Sequence, residues 1–368
     1  MHRLITSPFL GEYLVTRPDS ERGLRVPRGR YRELATVEAA AWVPEWLVDA
    51  ARRCWGLDVA GRTVGDTVLV REESRFGMGR ASYELNLGCN YDCPMCYLGV
   101  KRFDGLDWDG RERLLYMMRD AGVLWLQLTG GEPLIDWLFP RVYTLAWDLG
   151  MMLSVSSNGS ELSRPRILDL LTARRPYRLT LSVYGASDDS YDGVTRRRGS
   201  FRKFLRGLDA AAEAELTVRL NIVVTRGNDH EVDAMAAMAK ARGLPYHVYP
   251  NMSPTIHGGA EALSEQSAGQ LRPRKPFGGC GAGETFFHCD PHGQASICKV
   301  GRDPSVDLPT EGPEGLLRLA RIAESLHERT GGCSGCALSG TCGVCRPLAK
   351  LYQQAKAPLV SYCQHERR

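Results

Sequence analysis

Between positions 80 and 250 the apolar residues follow two alternating rhythms. Short runs with a period near two, or continuously apolar, fall at Tyr83–Leu87, Leu124–Leu128, Leu153–Ser157, Arg178–Tyr184, Val218–Thr225 and Tyr246–Tyr249. Between them lie longer stretches spaced by three and four: Asp109–Ala121, Arg164–Ala173, Ser200–Glu213 and Asp229–Ala241. The first rhythm marks strands and the second helices. Strands alternating with helices imply right-handed crossovers and a parallel sheet. The pattern therefore predicts an α/β protein built on a partial (β/α)6 parallel barrel over residues 79–252. In such folds the chemistry gathers at the C-terminal ends of the strands.

The flanks read differently. Residues 1–78 predict a small N-terminal α+β unit: a hairpin of Glu12–Thr16 and Gly23–Val26 around Pro18-Asp19-Ser20, a helix near Val43–Trp55, and a strand at Asp66–Arg71. Residues 253–279 are rich in Gly, Ser and Pro without a period and read as a connector. Residues 280–368 form a Cys-rich C-terminal region with one helix-like stretch, Gly315–Glu328. Too few apolar residues fall in each of its elements to build a strong core, so metal binding is expected to supply the missing folding energy.

Composition narrows the class. The 368 residues are 43% hydrophobic and 24% charged with a formal net charge of +4, an ordinary globular balance. The one dense basic run is Arg196-Arg197-Arg198, too little for a nucleic-acid face. No apolar run approaches the roughly 20 residues that span a bilayer. Pro8, Gly11, Glu12 and Arg17 interrupt any signal-peptide core, so the expected location is the cytoplasm. Twelve cysteines in a reducing compartment point to metal ligation rather than disulfides. Cys54 stands apart on a helical apolar stretch and reads as a buried inert thiol.

Three cysteines follow the first barrel strand in Gly88-Cys89-Asn90-Tyr91-Asp92-Cys93-Pro94-Met95-Cys96. Three thiolates this close can converge on one metal centre, and a structural zinc would want a fourth protein ligand that is absent nearby. A four-iron cube on three cysteines leaves one iron open. This Cys-x3-Cys-x2-Cys arrangement resembles the signature of radical S-adenosylmethionine (SAM) enzymes. The resemblance implies a [4Fe-4S] cluster on Cys89, Cys93 and Cys96 whose open iron chelates SAM. One electron then cleaves SAM to methionine and a 5′-deoxyadenosyl radical. Met95 stands where the family usually carries an aromatic residue.

Further motifs resemble the family's in order. Thr129-Gly130-Gly131-Glu132-Pro133 is similar to its Gly-Gly-Glu-Pro motif, which implies that Gly130, Gly131 and Glu132 meet the SAM ammonium. Ser157-Asn158-Gly159 resembles the ribose-contacting turn, or is a plain Asn-Gly turn. Ser182 and Arg196 match positions that hold the SAM carboxylate, with Arg197 or Arg198 as the alternative partner. Val223 either packs on adenine or belongs to the core.

The tail resembles a second family feature, the SPASM extension with two auxiliary [4Fe-4S] clusters. Its spacing here is Cys280, Cys298, then Cys333-x2-Cys336-x5-Cys342-x2-Cys345 and Cys363, with x2 where x3 is usual. The resemblance implies one auxiliary cluster on Cys333, Cys336, Cys342 and Cys363. The other would sit on Cys280, Cys298 and Cys345, with Cys289 either its fourth ligand or a free thiol that leaves an open iron. Spacing alone also suits a two-zinc ribbon.

Auxiliary clusters accompany oxidation or cross-linking of peptides in the family. Lys299 replaces the acidic residue that sulfatase-maturating relatives carry after the equivalent of Cys298. The N-terminal unit resembles peptide-recognition domains that add a leader peptide to a sheet edge; the alternative is a cap on the barrel. The reading is thus a peptide- or protein-modifying oxidoreductase served by an electron donor such as flavodoxin or ferredoxin. A dehydrogenase or epimerase of a small metabolite is the alternative. No acid or base is assigned; Tyr184, His288, Tyr249 and Asn251 are polar candidates near the expected cavity.

Overall fold

The computed structural model describes residues 2–99, 101–272, 278–338, 342–363 and 365. The N-terminal unit runs β1 (Leu4–Phe9), β2 (Glu12–Thr16), β3 (Gly23–Val26), α1 (Arg28–Thr36), α2 (Glu45–Trp55), α3 (Val64–Thr67) and β4 (Val68–Val70). Its sheet has the order β3-β2-β1-β4, so β3 is a free edge among the described residues. Leu4, Val15, Leu34, Leu47 and Ala51 form its core. The hairpin lies where the alternating pattern puts it. The strand expected at 66–71 instead begins as a helical turn, because the Thr63 hydroxyl accepts from the Asp66 N–H and caps α3. Cys54 is half-exposed on α2, not buried as the pattern predicted.

The barrel runs β5 (Arg80–Glu84), α4 (Trp108–Asp120), β6 (Trp125–Thr129), α5 (Phe139–Asp148), β7 (Met152–Ser157), α6 (Pro165–Ala173), β8 (Arg178–Val183), α7 (Asp188–Thr195), α8 (Ser200–Glu213), β9 (Val218–Val223), α9 (Val232–Ala241) and β10 (Tyr246–Tyr249). Neighbouring strands from β5 to β10 are all parallel. Period-two alternation sorts the two faces. Leu126, Leu128, Leu153, Val155, Leu179, Leu181, Leu220 and Ile222 are buried in one apolar core. Gln127, Ser154, Ser156, Thr180, Ser182 and Asn221 lie half-buried on the other face. That polar face is unlike the filled interior of a closed barrel.

The sheet does not stop at residue 252. β11 (Phe286–Cys289) pairs in parallel with β5, and β12 (Gln294–Ser296) and β13 (Val306–Asp307) extend it to nine strands. The first part of the Cys-rich region is thus built into the barrel sheet. Beyond it come α10 (Leu308–Glu311), α11 (Leu319–Leu326) and α12 (Arg346–Gln354). The helix expected over 315–328 divides into a 3-10 stretch, Pro313–Arg318, followed by α11.

Arg71 joins the N-terminal unit to the barrel. Its guanidinium donates to the carbonyls of Leu149 (3.0 Å), Gly150 (3.2 Å), Arg119 (3.4 Å) and Val123 (2.9 Å). Burial pulls its pKa down to about 10, and four carbonyl dipoles replace the missing anion. Ile5, Leu124 and Met152 pack beside this junction.

Candidate functional site

The chain leaves β5 directly into the three-cysteine loop. Glycines hold the next motif against it. A Cβ on Gly131 would lie 2.0 Å from the Gly88 carbonyl oxygen, and one on Gly130 would lie 2.2 Å from that of Asn86. Gly130 also has φ 137°, a conformation open to glycine. Across this contact the Gly131 N–H donates to Asn86 O (2.9 Å) and the Glu132 N–H to Gly88 O (2.8 Å). The absence of side chains at these glycines lets one loop of the protein approach another.

Beneath the loop lies a buried ion pair. Arg111 donates to both oxygens of Asp136 (2.9 and 3.1 Å) and to Leu85 O (3.1 Å), while the Asn86 amide donates to Asp136 at 3.0 Å. Both charges are almost fully buried, and such pairs depend on this complete hydrogen bonding.

Glu132 is fully buried and ties three strand ends together. Its carboxylate accepts from the Leu134 N–H (3.0 Å), the Ser157 hydroxyl (2.8 Å) and the Asn158 N–H (2.6 Å). Burial pushes its pKa up to about 7 against these donors. Asn158 donates to Asn90 Oδ1 (2.8 Å), within 3.9 Å of Cys89 Sγ, and Asn90 donates to Ser160 (2.9 Å). Glu132, Ser157 and Asn158 are therefore brought together with the cysteine loop. Their polar atoms are largely engaged within the chain, where the resemblance implied contacts to SAM.

Ser182 is the penultimate residue of β8, half-buried on the polar face. Val223 ends β9 and packs with Met95, Val194, Met252, Cys93 and Tyr184, so Met95 and Val223 form one apolar wall beside the cysteines. Arg196 caps α7 with φ 52° and lies 3.9 Å from Asp92 of the cysteine loop. Arg197 and Arg198 are exposed. Asn251 exchanges hydrogen bonds with the Arg272 backbone (2.7 and 2.9 Å), which makes it a connector of loops. Tyr249 is exposed against His247.

The cysteines suit a metal centre by their chemistry. Burial pushes the Cys89 thiol up to about 11 and Cys93 further, with the neighbouring cysteines adding to the effect. Crowded, desolvated thiolates need positive charge beside them, and a metal centre supplies it. Among the described residues no three metal-ligating side chains converge tightly enough for a single ion. A cube seats its thiolates on separate corners, so it asks for a wider spacing.

In the tail, Cys298 is raised by burial and then by Cys345 and Cys280, which places these three near one another. Cys289 is elsewhere. It lies on β11, fully buried in the barrel core, with its sulfur 3.6 Å from Asp290 O and no cysteine among its electrostatic neighbours. Cys333 packs beside Tyr352 and Tyr362. Cys342 sits 3.5 Å from an Arg346 nitrogen, and the Val344 N–H and this cation outweigh burial to lower its thiol pKa. Cys336 and Cys363 are half-buried nearby in sequence.

One polar network was missed from sequence. Arg302 donates to both oxygens of Glu84 (2.9 and 2.8 Å), Tyr97 donates to the same carboxylate (3.2 Å), and His288 Nε2 lies 3.4 Å from it. Ser82 meets His288 Nδ1 at 2.8 Å. Burial raises the Glu84 pKa, but His288 and Arg302 outweigh it and hold the carboxyl below the usual range. His288 itself is pulled down to about 4 by burial. Lys299 sits alongside, pulled down to about 8 by the same desolvation. First strand, cysteine loop, β11 and the Cys298 loop thus meet at one carboxylate. The signal available was a lone Glu within the apolar run Tyr83-Glu84-Leu85.

The cysteine loop at the end of the first parallel strand, tied to the ends of the second and third, defines the class. The chain belongs to the radical SAM superfamily, whose sequence profile matches residues 83–239. GTP 3′,8-cyclase of Synechococcus sp. (strain CC9902) is 30% identical over 243 residues, covering 61% of this chain and 68% of that protein. AdoMet-dependent heme synthase of Methanosarcina barkeri is 29% identical over 176 residues, 46% of this chain and 49% of that one. PqqA peptide cyclase of Rhizobium meliloti is 28% identical over 191 residues, 50% and 48% respectively. The last two are thus matched over about half their length. Among solved structures, Streptococcus suis SuiB bound to precursor peptide SuiA matches at TM-score 0.62 and 11% identity, over 93% of this chain and 92% of that one; this is a likeness of fold. Among the described residues no helix is long and apolar enough to cross a membrane.

Proposed function

We propose that this radical SAM enzyme oxidatively modifies or cross-links a side chain of a precursor peptide or protein. The observation that carries the reading is the N-terminal sheet, whose edge strand β3 has no further neighbour among the described residues. An extended peptide can add to such an edge through main-chain hydrogen bonds, with alternate side chains giving specificity. Support comes from the fold likeness to SuiB, which takes in this unit and was solved with a precursor peptide, and from the PqqA peptide cyclase relative.

Cys89, Cys93 and Cys96 would hold the SAM-binding cluster, and the tail cysteines two auxiliary ones. The bound cofactors supply a deoxyadenosyl radical and electron transfer. The protein's own part is to orient and to shield. Glu132 locks the Ser157-Asn158 turn against Asn90, which fixes the cysteine loop relative to the second and third strand ends. Met95 and Val223 present an apolar wall, and Ser182 a hydroxyl on the polar face. Arg302 and Tyr97 hold the Cys298 loop and the cysteine loop at Glu84.

The small-metabolite alternative rests on the cyclase and heme synthase relatives, which match this chain in sequence. Incubating the reconstituted enzyme with SAM and candidate precursor peptides separates the two. The peptide reading expects deoxyadenosine together with a mass change in a peptide, and tighter peptide binding than an Arg25→Pro variant shows, since the register turns Leu24 toward β2 and Arg25 outward, so proline at 25 removes an edge N–H. Deoxyadenosine without a mass change in any peptide would count against it.

A further inference from the structure

A cavity of about 480 Å³ opens beside the cysteine loop, with Asn90 and Tyr91 among its lining residues. These two stand in the chain between Cys89 and Cys93, so the cavity borders the segment that carries two of the three cysteines. Its rim is basic: Arg166, Arg197 and Lys203 line it, all three are exposed, and none pairs with a carboxylate among the described residues. The two acids in the cavity are already engaged. Asp136 is buried against Arg111, and Glu161 is buried beside Arg164. Trp137 lines the same cavity with 72% of its surface exposed.

We infer that this basic cleft is the docking surface for an acidic one-electron carrier protein; the inference rests on the radical SAM reading, since it assigns where the initiating electron enters. Three unpaired cations on a chain of net charge +4 concentrate positive potential at one place. Such a field steers an acidic partner and fixes its orientation. An exposed tryptophan beside arginines has the composition of a small interface core. Redox encounters need only a small contact area. The position favours a carrier over a substrate segment. Met95, Val194 and Met252 wall the loop elsewhere, and the half-buried polar face of the sheet belongs to the barrel mouth.

In the step served, a flavin hydroquinone gives up one electron and one proton, becoming the semiquinone. The proton goes to solvent and the electron to the cluster held by Cys89, Cys93 and Cys96.

The experiment compares the reconstituted parent with Arg166→Glu/Lys203→Glu, and with the milder Arg166→Gln/Lys203→Gln. Deoxyadenosine formation is driven either by dithionite, which needs no docking, or by flavodoxin hydroquinone. Flavodoxin affinity is measured in parallel by calorimetry on the same proteins. Docking at the cleft predicts unchanged dithionite rates. Flavodoxin-driven kcat/KM and affinity should fall at least about tenfold at low salt in the charge reversal, less in the Gln pair, with the gap closing at high salt. Unchanged flavodoxin affinity in both variants would overturn the inference. So would an equal loss with dithionite, which would assign the cleft to substrate or to folding. A parent that makes no deoxyadenosine with dithionite would sink the radical reading instead, and the affinity arm would still decide docking.

Discussion

The cysteine loop and the Cys-rich tail both gather thiols, but the protein builds them differently. Around Cys89, Cys93 and Cys96 the scaffold is complete before any metal arrives. Arg111–Asp136 supports it from below, Gly130 and Gly131 close it, and Glu132 ties it to the next two strands. In the tail the elements are short, and the buried cluster near Cys333 comprises Ala349, Tyr352 and Tyr362. The first site is preorganised by chain packing, whereas the second has little besides its cysteines to organise it. Metal binding should therefore be a folding event in the tail and a loading event at the loop.

Iron removal is the strongest way to break that contrast. After anaerobic chelation, hydrogen exchange should show amides of β5–β10 still protected and those of residues 331–363 exchanging as an unfolded segment. Equal protection in both regions would mean that the tail folds on its own core.

Next in size is Gly131→Ala. The added Cβ meets a backbone carbonyl at 2.0 Å, which no side-chain rotation relieves. A loss of about 3 kcal/mol is expected from overpacking at a rigid contact. Calorimetry should find it in the main barrel transition, and iron content should drop at the loop before the tail. A variant as stable as the parent would show that the two loops are looser than the geometry implies.

The contrast also explains what was legible in the sequence. The six barrel strands and four of its helices were readable because a repeating unit imposes its period locally. Tyr246–Tyr249 and Ser200–Glu213 fall where the pattern places them. The first strand is offset, Arg80–Glu84 against an expected Tyr83–Leu87, because apolar alternation runs on into Leu85 and Leu87 after the chain has left the sheet. Two helices were hidden. Pro140 near the start of α5 reads as a breaker although the first turn accepts it. Gly193 interrupts α7, although Ser187 caps it before two aspartates. The three-cysteine, Gly-Gly-Glu-Pro and Ser-Asn-Gly motifs stand out in the sequence because each begins at or just after the end of one of these strands. Glu84 with Arg302 could not, since 218 positions separate them and only the closure of β11 onto β5 brings them together.

Glu132 offers a subtler test of preorganisation. Burial raises its carboxyl pKa to about 7 in the fold, against an ordinary 4.5. A raised folded value means that the native state keeps a proton the unfolded chain releases. The stability it gives is present below about pH 4.5 and is lost as pH rises through 7. The drop is at most about 3 kcal/mol at 1.36 kcal/mol per unit. Glu132→Gln cannot titrate, so its melting temperature should fall less than the parent's between pH 5 and 8. Parallel curves would mean that the three donors already hold Glu132 ionised at pH 5.

Cys289 sets the boundary between the two regions, and its effect should be the smallest. By sequence position it belongs to the tail, with Cys280 before it and Cys298 after. By structure it belongs to the barrel, since its register partner is Tyr83 of β5 and its side chain is fully buried in the barrel core. Burial pushes its thiol far up, first by desolvation and then by Asp290 and Glu84. A thiol in that state packs as a small apolar group. Cys289→Ala removes one buried sulfur, so it should cost about 1 kcal/mol in the barrel transition and leave iron per chain unchanged. Cys298→Ala should do the reverse, with iron lost and barrel stability nearly intact. If Cys289→Ala also loses iron, the tail reaches further into the barrel than this packing allows, and the two regions form one metal-dependent unit.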